Sequence, residues 1–221
     1  PGITGVIDRT HAAEALNRIP GVLMQRGSGQ ESLLAIRSPV LTGAGACGAF
    51  LLLEDGMPLR PTGFCNVNQL FEANTSQAVA IEVLRGPQGT TLGANALAGL
   101  INVATRAAEP TSSLSLQFEG GDAGTYGAGL VAGGSLADAS GDDESAWRVV
   151  AQKFRSDGFR RNAWLNRDDT NGLDERTLRA RLRAAPAAGW KADVSLLWVD
   201  QDNGFDAFSI DNSRVTQSDQ P

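Results

Sequence analysis

Few residues in this sequence have types and spacings that could do chemistry, and each group lacks a part. Gly43-Ala44-Gly45-Ala46-Cys47-Gly48 fits the dinucleotide fingerprint G-x-G-x-x-G by letter. That fingerprint works after a strand and at the opening of a helix, whose N–H groups receive the pyrophosphate. Here it precedes an apolar, strand-like run, so a flexible turn is the better reading. Gly86, Gly89 and Gly93 do follow such a run, but the Lys-Ser/Thr pair of a phosphate-binding loop is absent. Asp200, Asp202 and Asp206 surround Asn203-Gly204 and loosely resemble a calcium loop, with the glycine one position early. A polar loop is the preferred reading. His11 is the only histidine, and no G-x-S-x-G occurs, so nucleophilic catalysis lacks its base and its strained elbow. With one histidine and no closely spaced cysteines, a zinc centre is not expected either. The expectation is a protein with no catalytic residues, no metal and no cofactor, and therefore not an enzyme.

The two cysteines, Cys47 and Cys65, admit two readings: buried free thiols or a disulfide. The segment around them is rich in turn residues, with Gly43, Gly45, Gly48, Gly63, Pro58 and Pro61, which favours the disulfide. Such a bond would close a loop at ~3 kcal/mol of chain entropy and would imply an oxidising compartment such as the periplasm.

The elements around these groups change character along the chain. Up to Pro110 there are seven basic and eight acidic residues, and after it twelve and seventeen, so no basic patch for nucleic acid emerges. The first part mixes a helix over His11–Ile19, capped by Thr10, with short apolar runs at 22–24, 33–36, 49–53, 79–84 and 97–103. A further short helix is expected over residues 66–73. This is the pattern of a compact α+β domain over 1–108.

From residue 112 the period is two. Leu114, Leu116 and Phe118 alternate with Ser113, Ser115, Gln117 and Glu119, and further strands are predicted near 125–137, 146–156, 174–185 and 190–201. The fourth strand puts Leu178, Ala180, Leu182 and Ala184 on one face and Thr177, Arg179, Arg181 and Arg183 on the other. Runs of 9 to 11 residues suit tilted strands crossing a bilayer, and no stretch approaches the ~18 apolar residues of a membrane helix. A soluble β-sandwich would show the same alternation.

The string Ala80-Ile81-Glu82-Val83-Leu84-Arg85-Gly86-Pro87-Gln88-Gly89-Thr90 breaks the tie. It continues through Leu92-Gly93-Ala94-Asn95-Ala96 and Ala98-Gly99-Leu100-Ile101-Asn102-Val103-Ala104-Thr105. Together with Ala15-Leu16-Asn17-Arg18-Ile19-Pro20-Gly21-Val22 and Leu51-Leu52-Leu53-Glu54-Asp55-Gly56-Met57-Pro58, it resembles the plug domain of TonB-dependent outer-membrane receptors, with four motifs in that family's order. Leu92 stands where the family usually has an aromatic residue, and Arg37-Ser38-Pro39 replaces the commoner R-G-[FM].

The resemblance implies an α+β plug domain over 1–108, followed over 112–221 by the first five or so antiparallel transmembrane strands of a 22-stranded β-barrel. The signature residues are Glu82, Arg85, Gly86, Pro87, Gly93, Gly99 and Asn102. It further implies energised uptake of a scarce solute, a ferric siderophore by default, with cobalamin or an oligosaccharide open. TonB and its inner-membrane ExbB/ExbD motor, outer-membrane lipid and a small-molecule ligand are the implied partners, and no nucleic acid. The implied place is the outer membrane of a Gram-negative bacterium, with the plug inside the barrel facing the periplasm. Arg37 and Arg85 match plug arginines that pair with glutamates on the barrel wall, so they are expected to form a plug–barrel latch, while Arg179, Arg181 and Arg183 are expected to face the lumen. The chain opens at Pro1-Gly2-Ile3 without a signal peptide and ends on Gln220-Pro221, so it is expected to be a fragment, with the TonB-contacting box before Pro1. A secreted carbohydrate-binding or adhesion protein built as a β-sandwich is the competing reading.

Overall fold

The computed structural model describes residues 12–26, 32–38, 49–59, 75–92, 95–136, 145–184, 190–206 and 217–218. The chain divides into two compact units, Pro1–Arg106 and Ala107–Pro221.

The first unit opens with a short helix, α1 (Ala12–Leu16), and an antiparallel hairpin of β1 (Val22–Arg26) and β2 (Ser32–Ile36). The helix is shorter than the apolar spacing over 11–19 suggests, and the reason is local. Asn17 turns its amide to the hairpin, donating to the Met24 carbonyl at 3.0 Å and accepting from the Met24 N–H at 2.7 Å, while the following residues tighten into a turn. Asparagine competes for backbone groups in this way and so ends helices. Gly21, at φ +79°, makes the turn into β1, in a conformation that L side chains rarely adopt.

A four-stranded sheet follows, in the order β4-β3-β6-β5, from β3 (Phe50–Glu54), β4 (Met57–Pro58), β5 (Ala78–Arg85) and β6 (Gly99–Thr105). A single helical turn, α2 (Gly89–Leu92), lies between β5 and β6. All five residues of β3 are buried, because the strand is covered on both faces, which is why it reads as a continuous apolar run instead of an alternating one. Phe50 and Leu52 join Leu16, Met24, Ile36 and Ile101 in one cluster, whereas Leu51 and Leu53 join Ala96 and Leu100 in another. Leu97, inside the apolar stretch, stays out of the core at 71% exposure, since β6 begins only at Gly99.

The second unit is dominated by one open antiparallel sheet in the order β12-β11-β9-β8-β7. Its strands are β7 (Ser113–Gly120), β8 (Tyr126–Ser135), β9 (Ala146–Ser156), β11 (Leu173–Ala184) and β12 (Ala192–Gln201). Two short strands outside it, β10 (Arg161–Asn162) and β13 (Gln217–Ser218), pair in parallel. Because side chains alternate and register partners share a face, the sheet can be read row by row. One row runs Leu116, Leu130, Ala151, Leu178, Trp198. The next on the same face runs Leu114, Ala132, Val149, Ala180, Leu196. This apolar face is open to the surroundings: Leu114 is 74% exposed, and Leu116, Leu178, Val194, Leu196 and Trp198 are exposed with it. The opposite face carries Arg179, Arg181 and Arg183 and is more covered, with Thr177 and Arg179 buried on β11, Val150 on β9 and Val131 on β8. Leu197 and Val199, which break the alternation of β12, lie half-buried on that covered face opposite Arg179 and Thr177.

Candidate functional site

Two of the signature residues, Glu82 and Asn102, meet through a hydrogen bond. Glu82 on β5 and Asn102 on β6 are register partners, and the Asn102 amide donates to Glu82 Oε2 at 2.8 Å. The other end of the same amide accepts the Gly56 N–H at 3.0 Å, so Asn102 ties β5 to the β3–β4 turn across β6. Asp55, at φ +51° in that turn, completes the clasp. Its carboxylate accepts the Thr105 N–H at 2.8 Å and the Thr105 hydroxyl at 2.7 Å, and its own N–H donates to the Val103 carbonyl at 3.0 Å. An aspartate tolerates the left-handed turn, and its carboxylate is placed to accept from two donors at once. Sequence reading singled out Glu82 and Asn102 but gave Asp55 and Thr105 no role; the D-G turn between two strands was the signal that they share an edge.

The two arginines are set by glycines. Gly99, the register partner of Arg85, has no room for a side chain: a Cβ there would lie 2.7 Å from the Leu84 carbonyl oxygen and 3.0 Å from Ile36 Cδ1. That close approach seats the end of the β1–β2 hairpin on the start of β6, with Arg37 one residue beyond Ile36. Arg37 takes φ +48°, its N–H donates to the Gly21 carbonyl at 2.9 Å, and its stem lies over Gly21. Arg85 ends β5 and runs into Gly86 at φ +90°, whose N–H donates to the Ala98 carbonyl at 2.8 Å. Both arginine side chains are exposed, and Pro87 is exposed beside them in sequence. Gly89 opens a helix of only four residues, too short to present an anion site. Cys47, Cys65, Gly93, His11 and the 43–48 glycines lie outside the described residues, as does the helix expected over 66–73.

The profile described as "TonB-dependent Receptor Plug Domain" matches residues 7–100. This chain carries a TonB-dependent receptor plug domain. The fold of the whole chain agrees. It is similar to the ferric yersiniabactin uptake receptor FyuA from Yersinia pestis, with TM-score 0.64 and 23% identity, over 79% of this chain and 26% of that one. It is similar to the pyoverdine outer-membrane receptor FpvA from Pseudomonas aeruginosa PAO1, with TM-score 0.64 and 15% identity, over 86% and 25%. The copper transporter OprC gives TM-score 0.65 and 16% identity, over 88% and 28%. This chain thus spans about a quarter of the length of the receptors it matches. The plug domain is followed by antiparallel strands that match the barrels of these receptors, and the five-stranded sheet is open. A sandwich needs a second sheet packed on the first. Among the described residues the long antiparallel strands form one sheet.

Beyond the plug, Arg179, Arg181 and Arg183 lie on the covered face of β11, opposite the face of Leu178, Ala180 and Leu182. Arg179 is 4% exposed, and Arg183 Nε donates to Asp193 Oδ1 at 3.2 Å. Two of the three aspartates of the loose calcium pattern do separate jobs. Asp200 pairs with Arg176 at 3.6 Å, whereas buried Asp206 accepts from the Asn162 amide at 3.2 Å and from the Thr170 hydroxyl. Asn203 serves as a clamp: its carbonyl accepts the Asp174 N–H at 3.1 Å and its amide donates to Glu175 at 2.8 Å. Gly204 approaches Thr170 so closely that a Cβ would meet its carbonyl oxygen, and its N–H donates to the Gly172 carbonyl at 2.7 Å. Asn203-Gly204 is therefore a turn that fastens the 157–172 loop to the 202–206 segment. Nearby, Arg167 holds both oxygens of Asp169, at 2.8 and 3.0 Å, and this hydrogen bonding keeps the Asp169 carboxyl below its ordinary range and raises Arg167.

Proposed function

We propose that this chain is the gate and opening wall of an outer-membrane receptor that imports a scarce solute when TonB, driven by ExbB/ExbD, pulls on the plug. Transport, not catalysis, is its work. The observation that carries the reading is the pairing of a plug domain with a sheet whose apolar face is turned outward. A spanning sheet must present apolar side chains to lipid, and the rows through Leu116 and Leu114 keep one exposed face apolar across all five strands, which supports this reading. Trp190, two residues before β12, and Trp198 within it bracket the outward apolar residues of that stretch. Eight residues at ~3.4 Å each, tilted ~40°, cover ~21 Å, close to the ~25 Å band that aromatic girdles flank in such barrels.

On this reading Arg179, Arg181 and Arg183 face the lumen, the plug sits inside the barrel facing the periplasm, and the solute is a ferric siderophore, the cargo class of two of the similar receptors. Arg37 and Arg85, exposed at neighbouring strand ends, latch the plug to carboxylates on the wall, since an arginine fork binds a carboxylate at two points. A Cys47–Cys65 disulfide would hold the intervening segment. The test is growth and uptake on ferric siderophores in a receptor-deleted host, with and without TonB. Siderophore uptake that needs both this protein and TonB supports the reading; uptake indifferent to TonB contradicts it. In the same cells Arg85→Ala is expected to raise entry of a large antibiotic more than Arg18→Ala, an exposed arginine in the turn after α1. Equal leakage at equal abundance contradicts the latch.

A further inference from the structure

The clamp between the 157–172 loop and the 202–206 segment is built from the two Asn-Gly pairs of the sequence, Asn171-Gly172 and Asn203-Gly204. An Asn-Gly pair is prone to lose its side-chain amide, because glycine has no side chain to keep its own backbone nitrogen away from the neighbouring amide carbon. At 203–204 the fold requires both residues all the same. A Cβ on Gly204 would run into the Thr170 carbonyl oxygen, so no larger residue fits. Asn203 must supply an acceptor and a donor together, Oδ1 for the Asp174 N–H at 3.1 Å and Nδ2 for Glu175 Oε1 at 2.8 Å. An ionised aspartate of the same size could fill only the first role. While it is closed, the clamp also disarms the pair. The Gly204 N–H is committed to the Gly172 carbonyl at 2.7 Å, and the Asp202 N–H donates to the Asp174 carbonyl at 2.8 Å, which pins the backbone before Asn203. The nitrogen that would attack and the amide it would attack are thus held apart by four hydrogen bonds.

We propose that Asn203 is a self-modification site gated by this clamp. When the 202–206 segment lifts, the Gly204 nitrogen gives its proton to solvent and bonds to Asn203 Cγ. The Cγ–Nδ2 bond breaks, and Nδ2 leaves as ammonia. Water then opens the cyclic imide at either carbonyl, leaving aspartate or isoaspartate at 203. The new carboxylate meets the Glu175 carboxylate where a donor stood, and both positions are half-buried, so their repulsion is poorly screened. The segment therefore does not reseat. The change is one-way: it follows an opening of the loop and then holds the loop open, whatever solute the chain handles.

The full chain, folded in detergent micelles and checked by near-ultraviolet circular dichroism, is stored in mildly alkaline buffer beside the same chain in urea. Peptide mapping by mass spectrometry follows conversion at 203 and at 171. Asn203 should convert about tenfold or more slowly in the folded chain than in urea, since reaction must await local opening. Glu175→Ala, which frees the Asn203 amide, should speed conversion of Asn203 in the folded chain about fivefold. It should speed Asn171 less, because the Gly172 N–H is held separately by the Asp169 carbonyl at 3.2 Å. Asn203→Asp, which installs the product directly, should raise amide exchange over 202–206 and tryptic cleavage in the 157–172 loop about tenfold. Asn203→Ser, which brings no charge to Glu175, should raise them less. The comparison of the folded chain with urea needs no variant, so it decides the gating even if Glu175→Ala does not fold. Conversion of Asn203 at equal rates in the two conditions, no conversion in urea, or exchange in Asn203→Asp no faster than in Asn203→Ser would overturn the proposal.

Discussion

The two units of this chain use similar apolar residues in opposite ways. In the plug, Leu100, Ile101 and Val103 on β6 are each 1% exposed, covered from both sides by a helix, a hairpin and neighbouring strands. In the sheet that follows, Leu114 and Phe118 on β7 and Leu196 on β12 are more than half exposed, in rows that continue from strand to strand. Water drives the first arrangement, since burying such side chains gains ~1.5–3 kcal/mol each. The second leaves a contiguous apolar patch exposed, and patches of that extent mark a surface made to be covered by a membrane or a partner. The polar groups follow the same division. The plug ties the carboxylates of Glu82 and Asp55 into hydrogen bonds with Asn102 and Thr105, whereas the sheet gathers arginines on its covered face. On the proposed reading one unit is built against water and the other against lipid, and the sign of the burial pattern tells them apart.

The comparison can be broken most forcefully in the plug core. Ile101→Ala should destabilise the plug by about 2–5 kcal/mol, as a cavity in a close-packed core does, read as a lowered denaturation midpoint. Ala180→Arg should come next. In the outward row it would place a charge near the bilayer midplane at about 2–4 kcal/mol, read as loss of folding into lipid vesicles. If the sheet instead faces water, the same change should move stability by no more than about 0.5 kcal/mol. Asn102→Leu should cost about 1–2 kcal/mol, because it releases both Glu82 and the Gly56 N–H, whereas Glu82→Gln should keep most of the stability by preserving the acceptor.

The smallest effect is a pH dependence outside the strands. Asp169 has its native pKa lowered, first by the hydrogen bond from Arg167. A lowered carboxyl contributes stability that is fully present above its unfolded pKa, ~3.9, and is lost as pH falls through the native value. The protection of the 162–169 amides, taken as the exchange rate relative to the intrinsic rate at each pH, should therefore be unchanged from about pH 8 to 5 and fall only below about 4. Asp169→Asn should remove that acid limb, and acid sensitivity that survives the substitution would assign it elsewhere.

Much of this was legible in the residues. The alternation at 113–119, 177–184 and 192–198 placed β7, β11 and β12 to within a few residues, because a period of two needs no tertiary information. The β3 run Phe50-Leu51-Leu52-Leu53 was legible as buried for the opposite reason, the absence of any alternation. What escaped were contacts between residues distant in sequence. Asn17 shortens its helix by bonding to Met24, and Asp55 closes on Thr105 fifty residues away. Asn203 clamps the start of β11, in a stretch whose residues read only as a polar loop. In each case a short polar side chain chose among several backbone partners, and only the fold decides which one is near. The 2.7 Å approach of Leu84 at Gly99 escaped for the same reason, although the glycine itself stood in the signature.

The account stands on which face of β11 meets lipid. Single cysteines at 180 and 181, in a protein with Cys47 and Cys65 replaced by serine and folded into vesicles, can be labelled with a spin probe. Their collisions with oxygen, which concentrates in lipid, and with a water-soluble nickel complex then measure each environment. The account predicts that position 180 is accessible to oxygen and shielded from nickel, and that position 181 shows the reverse preference. Oxygen preference at 181 with nickel preference at 180 would contradict it, as would equal nickel access at both.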